Sequence, residues 1–337
     1  MKRNISILFA VVCFTLSCSK DEQDINHMPI ADYKYTDQID KFVLTSTSDD
    51  PDNDILTYQW MSNSSAINIV NSNQKSAYFD IPQLSDSIEI SLVHIVCDEY
   101  LYDTISKNIQ IPILTRTRKW GLGRNLKMEV SNNVDYEWYI DQMNTGIYSY
   151  LNCGPTVVTM AIKWTNKDFD KTPEDARNTY NNPIGVWYTK DIINYLHKYA
   201  VNNIIIDIPN SDSLVNEIDN GNIIILCLDM FYISKAYKEE WRINKFYLAD
   251  VEGSGHFIVI KGYKVVDEQI LYEVYDPNSF GTRYNDNTLK GKDRYYKSKE
   301  IDDATNNWWD YAIIVSRYHL KSTRGLKINE IQHCYGY

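Results

Sequence analysis

A cysteine at the predicted start of a helix is the residue of this sequence best placed for chemistry. Cys153 lies in NCGPTVVTMAIKW, where Pro155 falls in the first turn and apolar residues follow at helical spacing (Val157, Met160, Ala161, Trp164). The unsatisfied N–H groups and the positive dipole end of a helix N-terminus favour thiolate over thiol. Because a thiolate attacks carbonyl carbons, this position predicts a nucleophilic cysteine.

A hydrolytic thiolate also needs a group that carries a proton to the leaving amine, and histidine is the usual one. His256 opens a strongly apolar strand, GHFIVIKGY, directly after the turn-forming EGSG. A strand-end histidine bound only to solvent is the alternative. The other five histidines fall in the N-terminal tether, the β-rich first half, an amphipathic helix and the C-terminal part: His27, His94, His197, His319 and His333.

A carboxylate, Asp276, ends the next apolar strand, QILYEVYDPN, and Pro277 ends its pairing. We predict a turn within Val265 to Glu268 and a hairpin centred near residue 266 or 267. Asp276 would then lie opposite His256 or within a step or two of it, where it can orient the imidazole. A slip of one residue would place the two side chains on opposite faces of the sheet.

An amide, Gln142, precedes Cys153 by eleven residues in YIDQMN. Gln142, NCGPT, GHFIVIKGY and YDPN, in this order, resemble the papain-like cysteine peptidases of the bacteriocin-processing, double-glycine leader peptidase type. The resemblance implies that Cys153 is the nucleophile, His256 the general base and then acid, and Asp276 the orienting group. It also implies an oxyanion hole formed by Gln142 and the backbone N–H of Cys153. An ordinary surface glutamine is the alternative for Gln142.

The sequence departs from the leader-processing members of that group. We see no long apolar span after residue 18 and no G-x-x-x-x-G-K-[ST] loop. We expect a peptidase that hydrolyses a peptide or isopeptide bond of a peptide or protein substrate through a thioester, with no cofactor and no metal. Two alternatives stay open: a cell-wall amidase or acyl transferase that uses the same site, and a non-catalytic, adhesin-like binding lipoprotein.

The first eighteen residues, MKRNISILFAVVCFTLSC, have the form of a secretory signal. They resemble a bacterial lipoprotein signal, which implies lipidation of Cys18, although Thr15 stands where leucine is usual. The following SKDEQD resembles the tether of lipoproteins that reach the cell surface. We expect a protein that works outside the cytoplasm and is attached to the bacterial outer membrane by the lipid alone, and display at the cell surface stays open. A plain signal peptide cleaved elsewhere is the alternative.

The segment SDDPDNDILTYQW resembles the polycystin-type immunoglobulin-like repeats of bacterial surface proteins, which implies that Trp60 fills a β-sandwich. The expected fold is an α+β papain-like cysteine peptidase domain preceded by a small all-β immunoglobulin-like sandwich. TRTRKWGLGRNLK predicts a basic linker or the start of the second domain, with a protease-sensitive activation segment as the alternative. The predicted organisation is a signal peptide (1–18), a tether (19–27), the sandwich (28–114), the linker (115–127), the peptidase domain (128–320) and a tail (321–337).

Composition narrows the classes of partner. The 337 residues include 34 Lys+Arg and 45 Asp+Glu, for a formal net charge of -11, which argues against nucleic acid. Asp50, Asp52 and Asp54 form either a calcium site or a solvated acidic turn. The remaining cysteines show no disulfide or metal-site spacing (Cys97, Cys227, Cys334). Two aromatic-rich loops, 229–253 and 283–310, suit either the walls of a ligand groove or loop packing.

Overall fold

The computed structural model describes residues 25–179, 185–208, 210 and 212–318. The chain divides into two compact units, Met1–Thr115 and Arg116–Tyr337. The predicted signal with Cys18 and most of the tether lie outside the described residues. The tail with Cys334, and His319 and His333, lie outside them too. No helix in the described part of the chain is both long and apolar enough to cross a bilayer.

Two antiparallel sheets form the described part of the first unit. Its strands are β1 (Tyr33–Gln38), β2 (Lys41–Ser46), β3 (Thr57–Ser62), β4 (Ser76–Asp80), β5 (Ile88–Cys97) and β6 (Tyr102–Ile111). The strand orders are β1-β2-β4 and β3-β5-β6, and both sheets contribute to one core that includes Trp60, Phe79 and Leu92. His94 stacks on Trp60 within this core, and burial lowers the pKa of His94 to about 4. His94 is therefore a neutral packing residue.

The second unit is an antiparallel sheet with helices on both faces. Its elements are α1 (Arg116–Lys119), β7 (Leu126–Ser131), α2 (Cys153–Thr165), α3 (Pro173–Asn178), α4 (Thr189–Lys198), β8 (Asn202–Asp207), α5 (Asp212–Asp219), β9 (Ile223–Asp229), β10 (Gly255–Val266), β11 (Gln269–Tyr275), β12 (Arg294–Lys297), α6 (Ser298–Asn306) and β13 (Tyr311–Ser316). The order is β12-β11-β10-β9-β13-β8, and β7 also pairs with β10. Helices α2 and α4 share a core with one face, and α5 and α6 share a core with the other.

The basic stretch at residues 115–127 packs against the second unit. It begins with α1, and Trp120 and Leu122 then join a small apolar cluster with Val266, Leu271 and Tyr295. Strand β7 follows and pairs with the second half of β10. The segment is thus the start of the second unit, and the structure does not support the prediction of a linker through residue 127.

The hairpin formed by β10 and β11 has a two-residue turn at Asp267 and Glu268, both with positive φ (46° and 66°). Val266 pairs with Gln269, and Gly262 pairs with Glu273. The next pair is Ile260 with Val274, so Lys261 is an extra residue in β10. Gly262 beside it has no room for a side chain, because a Cβ would lie 2.4 Å from the carbonyl oxygen of Val130 on β7.

This bulge reverses which residues of β10 face the core beneath α5 and α6. Between the turn and the bulge Tyr263 faces that core, and beyond the bulge Ile258 and Ile260 do. On β11, Tyr272 and Val274 face it without interruption. By the same alternation His256 and Asp276 fall on one face, whereas the register near the turn alone would separate them. The predicted hairpin is correct in position, and the bulge supplies the register that it needs.

The bulged residue is held by charge. Lys261 is fully buried, and its Nζ lies 2.6 Å from Glu273 Oε1 and 3.0 Å from Asp293 Oδ1. The ammonium also lies 4.7 Å from the centre of the Tyr275 ring. Two carboxylates from different segments therefore hold the extra residue in place.

We expect Lys261→Met to destabilise the second unit, because it keeps the apolar stem but leaves Glu273 and Asp293 without their cation. Removing one partner of a buried ion pair typically costs about 3–5 kcal/mol. Urea denaturation of the full chain, followed by circular dichroism, should show a loss in the free energy of unfolding of that order.

Lys264→Met is the matched control. Lys264 is also buried on β10, but its partner Glu129 is half-exposed, so the loss should be no more than about 1 kcal/mol. Equal losses in the two variants would contradict the stabilising role given to the Lys261 ion pairs.

Candidate active site

Helix α2 begins at Cys153, as the sequence predicts, with Pro155 in its first turn. Its first turns pack on the sheet near Phe257. Gly154 is required here, because a Cβ would lie 2.7 Å from the Cβ of Trp187. Cys153 forms no disulfide and its side chain is half-buried. The helix that it opens packs on β10.

The structure brings His256 and Asp276 together. His256 Nε2 lies 2.7 Å from Asp276 Oδ1, with both side chains buried. The same oxygen accepts a hydrogen bond from the backbone N–H of Asn278 (2.9 Å). Oδ2 accepts from the hydroxyls of Tyr247 (2.8 Å) and Tyr296 (2.6 Å). With four polar contacts, the carboxylate is fixed and can orient the imidazole.

Charge couples Asp276, His256 and Cys153. Burial favours the neutral form of each group, but the contacts between them outweigh it. The charge of His256 and its hydrogen bond hold the pKa of Asp276 below its ordinary value. Asp276, together with a hydrogen bond to Cys153, raises the pKa of His256 to about 10.

The pKa of the Cys153 thiol is lowered, whereas that of His256 is raised. Burial raises the pKa of Cys153, but the hydrogen bond and charge of His256 bring it below its ordinary value. The site therefore favours a thiolate and imidazolium ion pair next to a fixed carboxylate.

Gln142 opens a short 3-10 helix, Gln142–Asn144, and is buried. Its backbone N–H donates to the carbonyl of Pro277 (2.8 Å), one residue beyond Asp276. Its backbone carbonyl accepts from Thr145 Oγ1 (2.5 Å). The side-chain Oε1 has no hydrogen-bond partner among the described residues. The backbone is therefore anchored to the segment that carries Asp276, and the amide is not used to hold the fold.

A buried side chain links Gln142 to Cys153. Asn152 Nδ2 donates to the carbonyl oxygen of Thr145 (2.8 Å), and Asn152 Oδ1 accepts from Arg177 Nε (2.6 Å). Asn152 directly precedes Cys153, so the Gln142 segment and the start of α2 are joined by side-chain bonds. Sequence reasoning missed Asn152 and Arg177. The asparagine beside Cys153 was the available signal, since a polar residue before a helix often serves as a cap.

Sequence reasoning also missed Tyr247 and Tyr296. Both lie in the aromatic-rich segments for which walls of a ligand groove were one interpretation. The structure uses these two hydroxyls to bind Asp276, and Tyr296 is fully buried. Composition indicated the region, but which of the 27 tyrosines reach Asp276 depends on the pairing of β11 with β12 and on the path of the loop.

The remaining candidates have other surroundings. In the first unit, His27 contacts Asp52, and His94 is buried against Trp60. His197 is exposed on α4. Cys227 is buried in β9, and burial raises the pKa of its thiol well above the ordinary value. Cys227 therefore behaves as the small buried hydrophobe that the sequence indicates.

A cysteine at a helix start whose pKa is lowered by a histidine, with that histidine held by a carboxylate, is typical of cysteine peptidases. The sequence matches the family described as Peptidase_C39 like family over residues 133–303, about half of the chain. The chain belongs to this family. The matched region contains Gln142, Cys153, His256 and Asp276. A search of curated proteins finds no match.

Comparison with solved structures gives partial similarities. A Bacillus anthracis protein described as a C39-like peptidase is 13% identical, with 58% of this chain and 100% of that chain covered and a TM-score of 0.39. The PKD1 domain of Vibrio anguillarum Epp is 17% identical, with 26% and 98% covered and a TM-score of 0.20. A nucleoside hydrolase-related protein from Saccharophagus degradans is 23% identical, with 26% of each chain covered and a TM-score of 0.23.

Cys153 should react with iodoacetamide at pH 6 faster than Cys97, Cys227 or Cys334. An ordinary thiol has a pKa of about 8.5 and is almost fully protonated at that pH. Because the pKa of Cys153 is lowered, its thiolate persists as the pH falls below the ordinary range. Mass spectrometry of tryptic peptides measures the rates.

His256→Gln is the control for this labelling. It removes the cation that lowers the pKa of Cys153, so the rate at pH 6 should fall while the rate at pH 9 stays comparable. Faster labelling of any other cysteine in the wild-type protein would contradict the assignment.

Proposed function

We propose that the protein is an extracytoplasmic cysteine peptidase that hydrolyses a peptide or isopeptide bond through a thioester on Cys153. The observation that carries this proposal is the 2.7 Å contact that holds His256 against Asp276, at a site where the charge of His256 lowers the pKa of Cys153. Membership of a C39-like peptidase family supports a peptide or protein substrate. A nucleophile, a base and a group that orients the base form the arrangement diagnostic of covalent catalysis by a thiol.

In the first half of the proposed reaction, the Cys153 thiolate attacks the scissile carbonyl carbon. The negative charge moves to the carbonyl oxygen, where the Gln142 amide and the backbone N–H of Cys153 donate hydrogen bonds to it. As the tetrahedral intermediate collapses, the imidazolium of His256 gives its proton to the leaving amine. The products are a free amine and a thioester on Cys153.

In the second half, water opens the thioester. Neutral His256 removes a proton from the attacking water, and the oxyanion forms again at the same donors. Collapse of this intermediate releases the carboxylic acid and restores the thiolate and imidazolium pair. Asp276 stays ionised throughout and stabilises the imidazolium, while Tyr247 and Tyr296 keep its carboxylate in place.

The proposed location rests on the N-terminal sequence. The apolar run that ends at Cys18 supports lipidation of that residue and attachment to the outer membrane. Detergent phase partition of cells that express the complete gene tests this, with Cys18→Ala as the control. A wild-type protein recovered in the aqueous phase with an N-terminus other than Cys18 would contradict the proposal.

Activity itself is tested with a peptide library whose cleavage sites are read by mass spectrometry. The wild-type chain should cleave a defined subset of peptides, and Cys153→Ala should cleave none. Equal cleavage by the two proteins, or no cleavage of any library peptide, would argue against the peptidase proposal.

On a peptide found in this way, Gln142→Ala should lower kcat by about 10²- to 10³-fold, because one of two oxyanion donors is lost. The rate of Cys153 alkylation at pH 6 should stay unchanged, since Gln142 acts on the oxyanion and not on the thiolate. Met143→Ala, at the half-exposed neighbouring position, is the matched control and should retain wild-type kcat. Full turnover by Gln142→Ala would exclude the oxyanion role.

A further inference from the structure

The acidic loop between β2 and β3 brings three carboxylates to one point. One oxygen each from Asp50, Asp52 and Asp54 lies within 4.8 Å of the others. Oxygens on opposite sides of one Ca²⁺, each at 2.3–2.6 Å, are about 4.6–5.2 Å apart. Separations of up to 4.8 Å are therefore compatible with all three carboxylates binding one calcium ion. Mg²⁺ demands near-ideal octahedral geometry and loses its water reluctantly, so we expect Ca²⁺ to be preferred.

A second observation points to a ligand in this cluster. Asp50 is 4% exposed, and its Oδ1 accepts hydrogen bonds from the backbone N–H groups of Asp52 (2.9 Å) and Asp54 (3.1 Å). Its Oδ2 is buried and accepts no hydrogen bond within the described residues. One oxygen of the Asp50 carboxylate lies within 4.8 Å of an oxygen of Asp52 and of Asp54, so the oxygen without a partner belongs to this cluster. A buried carboxylate oxygen without a partner costs free energy that a bound cation would offset.

The electrostatics of the cluster favour the same conclusion. Three carboxylates with oxygens within 4.8 Å of one another repel each other when all are ionised. A divalent cation would relieve this repulsion, and Lys or Arg side chains contact neither Asp50 nor Asp54 among the described ion pairs.

The acidic loop also binds residues 27–30, which precede β1. Asp52 accepts hydrogen bonds from the backbone N–H of His27 (2.6 Å) and from its ring Nδ1 (2.9 Å). Ile30 and Asp49 exchange two backbone hydrogen bonds. A cation bound at the loop would therefore also fix residues 27–30.

We propose that Asp50, Asp52 and Asp54 form a Ca²⁺ site in the first unit, with backbone carbonyls and water completing its oxygen shell. The site is independent of the proposed peptidase activity. It stabilises the loop between β2 and β3 together with residues 27–30. Of the two sequence interpretations of these aspartates, the structure thus favours the calcium site over the solvated turn.

Equilibrium dialysis of the purified full chain against ⁴⁵Ca²⁺, after treatment with a chelator, tests this site. One Ca²⁺ should bind per chain with a Kd of about 10⁻³ M or tighter, as in extracellular calcium modules. Mg²⁺ at the same concentration should displace little of it. Absence of saturable binding below 10 mM, a working limit of roughly ten times that Kd, would overturn the proposal.

Asp50→Asn should weaken binding at least tenfold. Asparagine keeps an oxygen for the N–H groups of Asp52 and Asp54, so the turn survives while the charge is lost. Asp54→Asn should weaken binding as well, and its exposed position makes it the second variant if Asp50→Asn fails to fold. Asp86→Asn, at an exposed position on another loop, is the control and should bind as the wild type does. Unchanged binding by both cluster variants would contradict the site.

Discussion

The extra residue in β10 determines whether His256 and Asp276 can meet on one face of the sheet. Side chains alternate between the two faces of a strand, so one inserted residue, Lys261, changes the face on which His256 lies. The contact between His256 and Asp276 exists because the bulge lies between them and the turn. The fully buried ammonium of Lys261 stabilises the bulge through ion pairs with Glu273 and Asp293, and these pairs form only in the folded sheet. The same ion pairs therefore contribute both to the stability of the second unit and to the position of His256.

From this register the charges of the site follow. Asp276 is buried without becoming neutral, because it meets four polar partners, and it stabilises positive charge on His256. His256 in turn lowers the pKa of Cys153 at the start of α2. His256 and Asp276 are both buried from water, so their interaction is stronger than it would be at the protein surface. Loss of the Asp276 contact would therefore also weaken the effect of His256 on Cys153.

The sequence predicts the parts of this site that depend on local patterns. The helix start at Cys153, the apolar strand after His256 and the hairpin before Asp276 are each set by residues within a few positions. The bulge depends on ion pairs to Glu273 and Asp293, which only tertiary structure brings to Lys261. Tyr247 and Tyr296 reach Asp276 through a long loop and a neighbouring strand, so no short pattern marks them. The basic stretch from residue 115 looked like a linker because its apolar partners lie far along the chain.

The protonation state of His256 shows directly whether Asp276 stabilises an imidazolium at this site. A ¹⁵N NMR titration of the protein labelled at histidine, with the His256 signals assigned from His256→Gln, would follow both ring nitrogens. We predict that His256 remains an imidazolium through pH 8, since its pKa of about 10 lies far above the ordinary 6.5, and that Asp276→Asn lowers this pKa. A neutral His256 at pH 7 that titrates identically in the wild type and in Asp276→Asn would show that Asp276 does not hold the imidazolium.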